Sequence, residues 1–411
     1  MKTMAYFCEI TIIKFIKMKS LKKIFFLMTL VLLNLAFVYG QKFEGLAPTP
    51  PMGWNSWNKF GCDVSETLIK EIADAMVESG MKDAGYEYVI IDDCWQIGRD
   101  EMGNVIPDPE RFPSGMKALG DYIHSKGLKF GIYSDAGTKT CQRRPGSRGY
   151  EFQDARTYAE WGVDYVKFDW CYTSTQNAQA SYKLMRDAIY KAGRPMVFSL
   201  CDWGLSKPWL WAKDVGHLWR ATDDIMDCWD CEDDRNNGGF TVLLDRVADL
   251  YSYSGPDHWN DPDMLEVGNS GLTVTESRAH FSLWCVLAAP LIAGNDLRNM
   301  SKETLEILTN REAIAVDQDP LGKQGVKVRD DGDYEVWVKQ LADGSRAVVL
   351  FNRSLKDEKM SVRWEELGYP SYLKLKVRDL WEHKDQGLFK KQYTATVPSH
   401  GAVMLRMTPD N

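Results

Sequence analysis

The amino-acid sequence predicts an α/β protein, a (β/α)8 TIM barrel followed by a C-terminal antiparallel β-sandwich domain. From about residue 50 one unit recurs: a helix-like stretch ends at glycine, and a short apolar strand then ends on an acidic residue. Eight such strands fit within about 270 residues, which suits a barrel of this kind. Near residue 320 the unit stops, and short alternating strands with hairpin turns follow.

The first forty residues are typical of a secretory signal peptide. A basic region around Lys22 precedes an apolar run from residue 24 to 38, and Gly40 provides a small residue at the expected cleavage position. We predict that residues 1–40 are removed, that the true start lies near Met18, and that the protein is secreted or periplasmic. An uncleaved membrane anchor is disfavoured because the apolar run is short for a membrane span.

The barrel elements follow in order. Met52-Gly53-Trp54 is predicted as the opening strand, and residues 65–83 as a helix because Leu68, Ile72 and Met76 recur at helical spacing. Further strands are predicted at 88–91, 129–133, 165–168, 196–200, 217–222, 259–263 and 290–293. Further helices are predicted at 114–126, 154–161, 178–192 and 274–288.

A doubly wound open sheet is the alternative fold for alternating strands and helices. It is disfavoured because no Gly-rich phosphate turn follows the first strand. The acidic residues at successive strand ends favour a barrel, which gathers all strand ends around one mouth. We expect this domain to span residues 41–320.

Residues 321–411 are predicted to form the antiparallel domain. Asp331-Gly332 and Asp343-Gly344 supply hairpin turns. The predicted strands are 334–340, 346–351, 359–364, 372–380, 391–397 and 402–407. This region has no cluster of acids or histidines, so we expect any chemistry to lie in the barrel.

The charge of the chain argues against nucleic acids and anionic membranes as partners. The formal net charge is −8, and residues 1–40 hold six lysines and one glutamate (+5), so the remainder carries −13. The six histidines are scattered and show no zinc-binding spacing. We therefore predict no metal and no other cofactor.

Cysteine content fits an oxidising compartment, with eight of nine cysteines beyond residue 40. Cys228 and Cys231 form a C-x-x-C pair. Because no second such pair lies nearby, a local disulfide or plain thiols are favoured over a metal or redox motif.

The predicted site centres on the strand that carries Lys167 and Asp169. Val166 and Phe168 alternate with these residues, so the two charged side chains project to the same side. They form either a structural ion pair or a nucleophile beside a cation. The other charged residues expected at the barrel mouth are Asp92, Asp93, Asp135, Asp202, Arg220, Asp223, Asp224, Asp261 and Asp263.

Three chemistries use so many carboxylates: metal binding, proton abstraction and glycoside hydrolysis. Lys167 and Arg220 would compete with a metal for the carboxylates. Tryptophans at strand ends would provide a hydrophobic platform for a sugar ring; they are Trp54, Trp57, Trp95, Trp170 and Trp203. Together these features favour a glycosidase.

The segments that carry these residues resemble glycoside hydrolase family 27, the α-galactosidases and α-N-acetylgalactosaminidases. The matching motifs are Gly53-Trp54-Asn55-Ser56-Trp57, Ile91-Asp92-Asp93-Cys94-Trp95, Val166-Lys167-Phe168-Asp169, Trp219-Arg220 with Asp224, and Trp259-Asn260-Asp261-Pro262-Asp263-Met264. The likeness extends from about residue 47 to the chain end. It implies the same barrel and antiparallel β domain.

The resemblance also implies roles for individual residues. Asp169 would be the nucleophile, and Asp224 would be the general acid/base in preference to Asp223, because the family places that residue four positions after the arginine. The implied galactose pocket comprises Trp57, Asp92, Asp93, Tyr133, Cys141, Lys167, Arg220 and Asp263. The implied disulfides are Cys62–Cys94 and Cys141–Cys171, with Cys201 free near the sugar.

Two segments bear on substrate choice. Cys201-Asp202-Trp203 resembles the family's segment for the 2-hydroxyl, where glutamate is more usual at position 202, and bulky Trp203 should exclude an N-acetyl group. The Asp92–Asp93 pair leaves room for a hydroxymethyl group, whereas a glutamate there would better suit β-L-arabinopyranose. Lys167 and Arg220 are expected to keep neighbouring carboxylates ionised.

We therefore expect a hydrolase that releases terminal α-D-galactose from oligo- or polysaccharides by double displacement. Within the family, the alternatives are a β-L-arabinopyranosidase and an α-N-acetylgalactosaminidase. A non-catalytic sugar-binding protein is disfavoured because Asp169 and Asp224 are both present. The sequence leaves the natural galactoside and the oligomeric state open.

Overall fold

The computed structural model describes residues 42–410. The predicted signal peptide at 1–40 and the predicted start near Met18 lie outside these residues. Among the helices of the described part, none has the length and apolar character needed to span a membrane.

The strands of the first domain are short and follow one another along the chain. In order they are β1 (Met52–Asn55), β2 (Tyr88–Ile91), β3 (Gln96–Arg99), β4 (Val105–Pro107), β5 (Lys129–Asp135), β6 (Tyr165–Asp169), β7 (Val197–Leu200), β8 (Leu218–Arg220), β9 (Trp259–Asp261) and β10 (Leu291–Ala293).

Helices lie between and after these strands. They are α1 (Trp57–Phe60), α2 (Glu66–Glu78), α3 (Met81–Ala84), α4 (Gly115–Ser125), α5 (Glu151–Trp161), α6 (Ala178–Ala192), α7 (Phe240–Val247), α8 (Val274–Leu287), α9 (Lys302–Leu308) and α10 (Arg311–Asp317). Short 3₁₀ turns occupy Pro208–Leu210, Ala212–Asp214, Ala248–Leu250, Leu297–Asn299 and Trp364–Leu367.

Eight of the strands form one parallel sheet, which confirms the predicted barrel. Its order is β10-β1-β2-β5-β6-β7-β8-β9, while β3 and β4 pair with each other as a separate hairpin. A parallel bridge between Leu265, just after β9, and Ala293 in β10 joins the two ends of the sheet. Because all eight strands are parallel, their C-terminal ends lie at one mouth of the barrel.

The helical connections differ from the predicted pattern in three places. The predicted helix at 65–83 is interrupted at Gly80, whose φ of 82° suits glycine and separates α2 from α3. The connection from β7 to β8 contains two 3₁₀ turns, the first of which begins at Pro208. Helix α7, in the connection from β8 to β9, was not predicted, and neither were α1, α9 and α10.

The second domain is an antiparallel β sandwich, as predicted. Its strands are β11 (Val326–Asp330), β12 (Tyr334–Gln340), β13 (Arg346–Asn352), β14 (Glu358–Arg363), β15 (Lys374–Asp379), β16 (Lys384–Lys390), β17 (Gln392–Val397) and β18 (Gly401–Pro409). Six of them form a sheet in the order β11-β12-β13-β18-β15-β16, and β14 pairs with β17. Strands β11 and β16 were not predicted.

The central strands of the six-stranded sheet, β12, β13 and β18, are buried on both faces. On β13, Val348 and Leu350 belong to the core inside the sandwich, whereas Val349 and Phe351 pack into the core of the barrel domain. Successive side chains of a strand point to opposite faces. The alternation therefore ties the two domains together through one shared sheet.

A buried ion pair fixes the β3–β4 hairpin against the barrel. Arg99 makes two 2.7 Å contacts with the carboxylate of Asp154 in α5, and its Nη2 also donates to the Gly146 carbonyl oxygen at 2.8 Å. Asp154 has no exposed surface. The pair thereby holds the loop that includes Cys141 beside the barrel mouth.

Replacing Asp154 by alanine is expected to lower the free energy of unfolding by about 3–5 kcal/mol, because a largely buried guanidinium loses its counter-ion. Urea unfolding followed by tryptophan fluorescence measures the change. Lys117→Ala is the matched control, since it breaks the exposed Lys117–Asp121 pair on α4 and should cost less than about 1 kcal/mol. Equal losses in the two variants would contradict the prediction.

Candidate active site

A small cavity opens at the C-terminal ends of the barrel strands. Its wall consists of Trp57, Asp92, Asp93, Tyr133, Cys141, Lys167, Asp169, Trp203, Arg220, Asp224, Asp263 and Met264. Of the predicted catalytic and sugar-binding residues, Cys201 and Asp202 lie outside this wall, as do three further acids and three tryptophans that were expected at the barrel mouth: Asp135, Asp223, Asp261, Trp54, Trp95 and Trp170. The structure therefore brings together residues that are up to about two hundred positions apart in sequence.

Asp169 ends β6 at the base of the cavity. The Tyr133 hydroxyl donates to its Oδ2 at 2.9 Å, and the Trp170 backbone N–H donates to its Oδ1 at 3.0 Å. The residue is 5% exposed. Burial raises the pKa of Asp169 to about 7; Lys167 opposes this rise, and the charge of Asp224 adds to it.

Lys167 pairs with Asp92 rather than with its strand neighbour. Its Nζ lies 2.9 Å from Asp92 Oδ2, which also accepts from Asn55 Nδ2 at 2.8 Å. Burial alone would lower the pKa of Lys167, but the charge of Asp92 holds it well above the ordinary value. Lys167 thus stays cationic and acts on Asp169 through space.

Asp93 is held by the backbone. Its Oδ1 accepts from the Cys94 N–H at 2.7 Å and its Oδ2 from the Gln142 N–H at 2.9 Å. Burial raises the pKa of Asp93 despite these hydrogen bonds. The side chain is therefore fixed in orientation before any ligand enters.

Arg220 connects the two carboxylates on the opposite wall. Its Nη2 lies 3.0 Å from Asp263 Oδ2 and 3.1 Å from Asp224 Oδ1. Asp263 has a φ of 83° and accepts from the Ile225 N–H at 2.8 Å. A residue other than glycine at such a φ is uncommon, so the fold positions this side chain at some conformational cost.

Asp223 and Asp224 face different surroundings. The Asp223 carboxylate lies 3.0 Å from Arg246 Nη1, away from the cavity wall. The Asp224 side chain is 47% exposed and borders both the small cavity and a wider cleft outside it. Only Asp224 of this pair is placed to meet a ligand in the small cavity.

Three disulfides lie in the described part of the chain. Cys62–Cys94 and Cys141–Cys171 are the two pairs that the resemblance implied, and Cys228–Cys231 is a third. Cys141 Sγ lies 3.5 Å from Asp169 Oδ2, so the second disulfide forms part of the wall beside that carboxylate. The thiol of Cys201 is free and buried, with Arg220 Nη1 3.8 Å away.

The prediction that five tryptophans share the rim was wrong. Trp54 and Trp95 have no exposed surface, and their indole N–H groups donate to backbone carbonyls in the core. Trp170 stacks on Tyr182 at a centroid distance of 5.4 Å. Trp57 and Trp203 alone of the five border the cavity.

Asp202 faces its own loop. Its Oδ1 accepts from the Gly204 N–H at 3.3 Å and its Oδ2 from the Ser206 N–H at 3.0 Å. These bonds hold the loop that presents Trp203 to the cavity. The contact of Asp202 and Cys201 with a sugar stays a prediction.

Asp135 and Asp261 also serve the backbone. Asp135 accepts from the N–H groups of Gly137 and Cys171 at 2.6 and 2.8 Å, and Asp261 accepts from that of Asp263 at 2.9 Å. Asp135 and the sulfurs of Cys141 and Cys171 lie within 4.8 Å of one another. Because those sulfurs are joined in a disulfide, the group does not offer a set of thiolate ligands to a metal.

The cleft outside the cavity was not predicted. It has a volume of about 1080 Å³ and shares Trp57, Cys141, Trp203 and Asp224 with the small cavity. Its outer wall includes Lys59, Asp227, Arg235, Glu266 and Asn269. Lys59 lies in the short helix α1 and the other four lie in loops, where neither strand periodicity nor helix spacing indicates which side chains meet.

Comparison with known proteins matches both domains. A family model described as α-galactosidase A matches residues 49–319, and one described as the α-galactosidase C-terminal β-sandwich domain matches residues 331–407. The chain is 54% identical over 388 residues to α-galactosidase A of Cellvibrio japonicus, covering 90% of this chain and 94% of that protein.

Two solved structures show the same fold. α-Galactosidase I of Mortierella vinacea has a TM-score of 0.87 at 40% identity and covers 89% of this chain and 98% of its own. The α-galactosidase of Saccharomyces cerevisiae with raffinose has a TM-score of 0.86 at 30% identity and covers 90% and 100%.

Replacing Tyr133 by phenylalanine is expected to raise the pKa of Asp169, because its carboxylate loses a hydrogen-bond donor. If ionised Asp169 is required for activity, the acid limb of the pH profile of kcat/KM then moves to higher pH, by roughly one unit. An aryl α-galactoside serves as the substrate.

Tyr182→Phe is the matched control. The Tyr182 hydroxyl is buried and has no hydrogen-bond partner among the described residues, so its removal should leave the profile in place. An unchanged acid limb in Tyr133→Phe would show that this hydroxyl does not set the ionisation of Asp169.

Proposed function

The chain belongs to glycoside hydrolase family 27 and is an α-galactosidase; from this membership we propose a retaining mechanism in which Asp169 is the nucleophile and Asp224 the general acid/base. The observation that carries the proposal is the arrangement of one cavity. A buried carboxylate at its base and a half-exposed carboxylate at its rim border the same small space.

In the first step, Asp169 attacks the anomeric carbon of the galactose. The bond from that carbon to the leaving oxygen breaks, and Asp224 gives its proton to that oxygen. Two donors hold the attacking carboxylate in one orientation, from Tyr133 and from the Trp170 backbone. In the second step, Asp224 takes a proton from water, which displaces Asp169 and releases α-galactose.

Asp224 suits the role of proton carrier because of its position. Arg220 contacts one of its oxygens, and the side chain remains open to the wider cleft where a leaving group would lie. Asp169 lies deeper, where water is largely excluded. The two carboxylates thus differ in environment, as two groups with different tasks in one reaction must.

The rest of the cavity fits a galactose ring. Asp92 and Asp93 present carboxylate oxygens whose orientations are already fixed by Lys167, Asn55 and two backbone N–H groups. We propose that they accept hydrogen bonds from the 4- and 6-hydroxyls. A sugar that lacks or inverts one of these hydroxyls leaves a buried acceptor unpaired, which costs about 1–3 kcal/mol.

Trp203 supports galactosides over N-acetylgalactosaminides. It has a φ of 54° and reaches the cavity from a loop that Asp202 holds in place. A bulky indole beside the sugar leaves less room for an N-acetyl group. This is the structural basis that we propose for the preference.

The leaving group would occupy the wider cleft. The cleft is continuous with the cavity at Asp224 and is lined by polar and charged side chains such as Lys59, Asp227 and Arg235. Such a surface suits the hydroxyl-rich remainder of an oligosaccharide or polysaccharide. The three disulfides support the proposal of a secreted or periplasmic location, since disulfides persist in oxidising compartments.

A galactose-configured mechanism-based inhibitor is expected to label Asp169. Intact mass spectrometry should show one adduct per chain, and peptide mapping should place it on the peptide that contains Asp169; Asp169→Asn should remain unlabelled. NMR during hydrolysis should show α-galactose as the first anomer. Label on another residue, or initial release of β-galactose, would refute the assignment.

The two neighbouring acids should differ in effect. Asp224→Asn is expected to lower kcat/KM for melibiose by about 10²–10⁴-fold, since the leaving oxygen loses its proton donor. Asp223→Asn keeps a side chain able to bond Arg246 and should retain most of the activity. The reverse order of losses would assign the acid/base role to Asp223.

A further inference from the structure

The loop that follows Asp224 crosses to the C-terminal domain. We refer to residues 225–239 as the disulfide loop, because the Cys228–Cys231 bond closes its tip. Its two ends run side by side: the Met226 N–H donates to the Gly238 carbonyl oxygen at 2.8 Å, and the Gly238 N–H donates to the Asp224 carbonyl oxygen at 3.1 Å. The backbone of Asp224 is therefore part of the base of this loop.

The loop also bonds Asp224 through a side chain. The Asp224 N–H donates to Oδ1 of Asn237 at 3.3 Å. Asn237 is held in turn by Asp233, because the backbone N–H and the Nδ2 of Asn237 both donate to the Asp233 carboxylate at 3.0 Å. Movement of the loop would thus move the backbone from which the Asp224 carboxylate projects. In the described part of the chain, the carboxylate itself pairs with one cation, Arg220.

The tip of the loop contacts both the sandwich domain and the start of helix α7, where Thr241 Oγ1 donates to the Trp229 carbonyl oxygen at 2.8 Å. The indole of Trp229 stacks on the imidazole of His400 with a centroid distance of 4.3 Å and an interplanar angle of 6°. Trp229 also contacts Phe351 at 5.6 Å and meets Phe240 edge-on at 4.8 Å. His400 and Phe351 lie at the end of the sheet that packs on the barrel.

His400 is itself rigidly placed. Its Nδ1 lies 2.8 Å from Glu276 Oε1, and Glu276 caps the N-terminus of α8 together with Thr273. The backbone N–H of His400 donates to the Ser354 carbonyl oxygen at 3.1 Å. The stacking surface is thus fixed by both domains before the loop reaches it.

We propose that the C-terminal domain positions the general acid, with Trp229 and His400 as positioning residues that act on Asp224 through the disulfide loop. The proposal rests on the role proposed above for Asp224. Neither aromatic residue borders the sugar cavity. Their effect is on where Asp224 lies when it gives its proton to the leaving oxygen.

The chemistry supplies a selective readout. Proton transfer requires the donor oxygen to lie within about 3.2 Å of the acceptor. A sugar alkoxide is a poor leaving group and needs that proton as the glycosidic bond breaks, whereas 2,4-dinitrophenolate leaves without it. Displacement of Asp224 should therefore slow the hydrolysis of melibiose and leave the hydrolysis of 2,4-dinitrophenyl α-galactoside almost unchanged. The parameter to compare is kcat/KM, because it reports the first step alone.

The test compares both substrates in His400→Asn. Asparagine accepts the positive φ of 47° at this position but has no ring on which Trp229 can stack. We expect kcat/KM for melibiose to fall about tenfold and that for the dinitrophenyl substrate to fall less than about twofold. Trp229→Ala should reproduce this selective loss, and Trp229→Phe, which keeps an aromatic ring, should restore most of the melibiose activity.

Arg378→Gln is the matched control. Arg378 joins the sandwich domain to Glu312 of α10 at 2.6 Å, in a contact that does not include the disulfide loop. Loss of this contact should lower kcat/KM for both substrates to the same small extent. Titration with the mechanism-based inhibitor corrects every variant for the fraction of folded enzyme.

The outcomes separate the two proposals. If His400→Asn lowers kcat/KM equally for both substrates, or not at all, the positioning role of His400 is overturned. A selective loss of melibiose activity in Asp224→Asn would still support Asp224 as the general acid. If Asp224→Asn itself shows no selectivity between the substrates, Asp224 is not the acid and both proposals fall. A selective loss in both variants, absent in Arg378→Gln, is the expected result.

Discussion

The rest of the structure depends on one constraint at the barrel mouth: buried carboxylates outnumber the basic side chains that could pair with them. Asp92, Asp93, Asp169 and Asp263 are each 5% exposed or less, and Lys167 and Arg220 are the basic residues in the same wall. Burying a carboxylate without a partner is costly. Lys167 forms an ion pair with Asp92, and Arg220 forms one with Asp263. Asp169 is therefore stabilised by hydrogen bonds and by more distant charge.

This distribution explains why Asp169 differs from its neighbours. It has two hydrogen-bond donors but, among residues 42–410, no cation within ion-pair distance, and burial raises its pKa to about 7. Once ionised, a carboxylate with little direct neutralisation is more nucleophilic than one bonded to lysine or arginine. The lysine two residues earlier was expected to keep neighbouring carboxylates ionised. It pairs directly with Asp92, and its charge lowers the pKa of Asp169 from a greater distance.

The sequence predicts the scaffold of the site well because strand geometry is regular. Parallel strands that end on acids must bring those acids to one mouth, and this placed Asp92, Asp169 and Arg220 correctly. It fails where a loop decides orientation. Asp202 turns back onto its own backbone and Trp95 points into the core, because residues beyond a strand no longer follow its alternation of faces. Trp54 lies within β1 and points from that strand into the core.

The loops carry the second half of the predicted catalytic pair. Asp169 belongs to a strand whose neighbours on both sides hold its backbone, whereas Asp224 lies four residues beyond the last hydrogen-bonded end of a three-residue strand. A strand fixes a side chain through its ladder, but a loop needs contacts elsewhere to reach the same precision. In this chain the disulfide loop finds part of these contacts on the sandwich domain, whose strands β12, β13 and β18 pack on the barrel core. An antiparallel domain without acids or histidines of its own in the site can therefore still determine how well the site works.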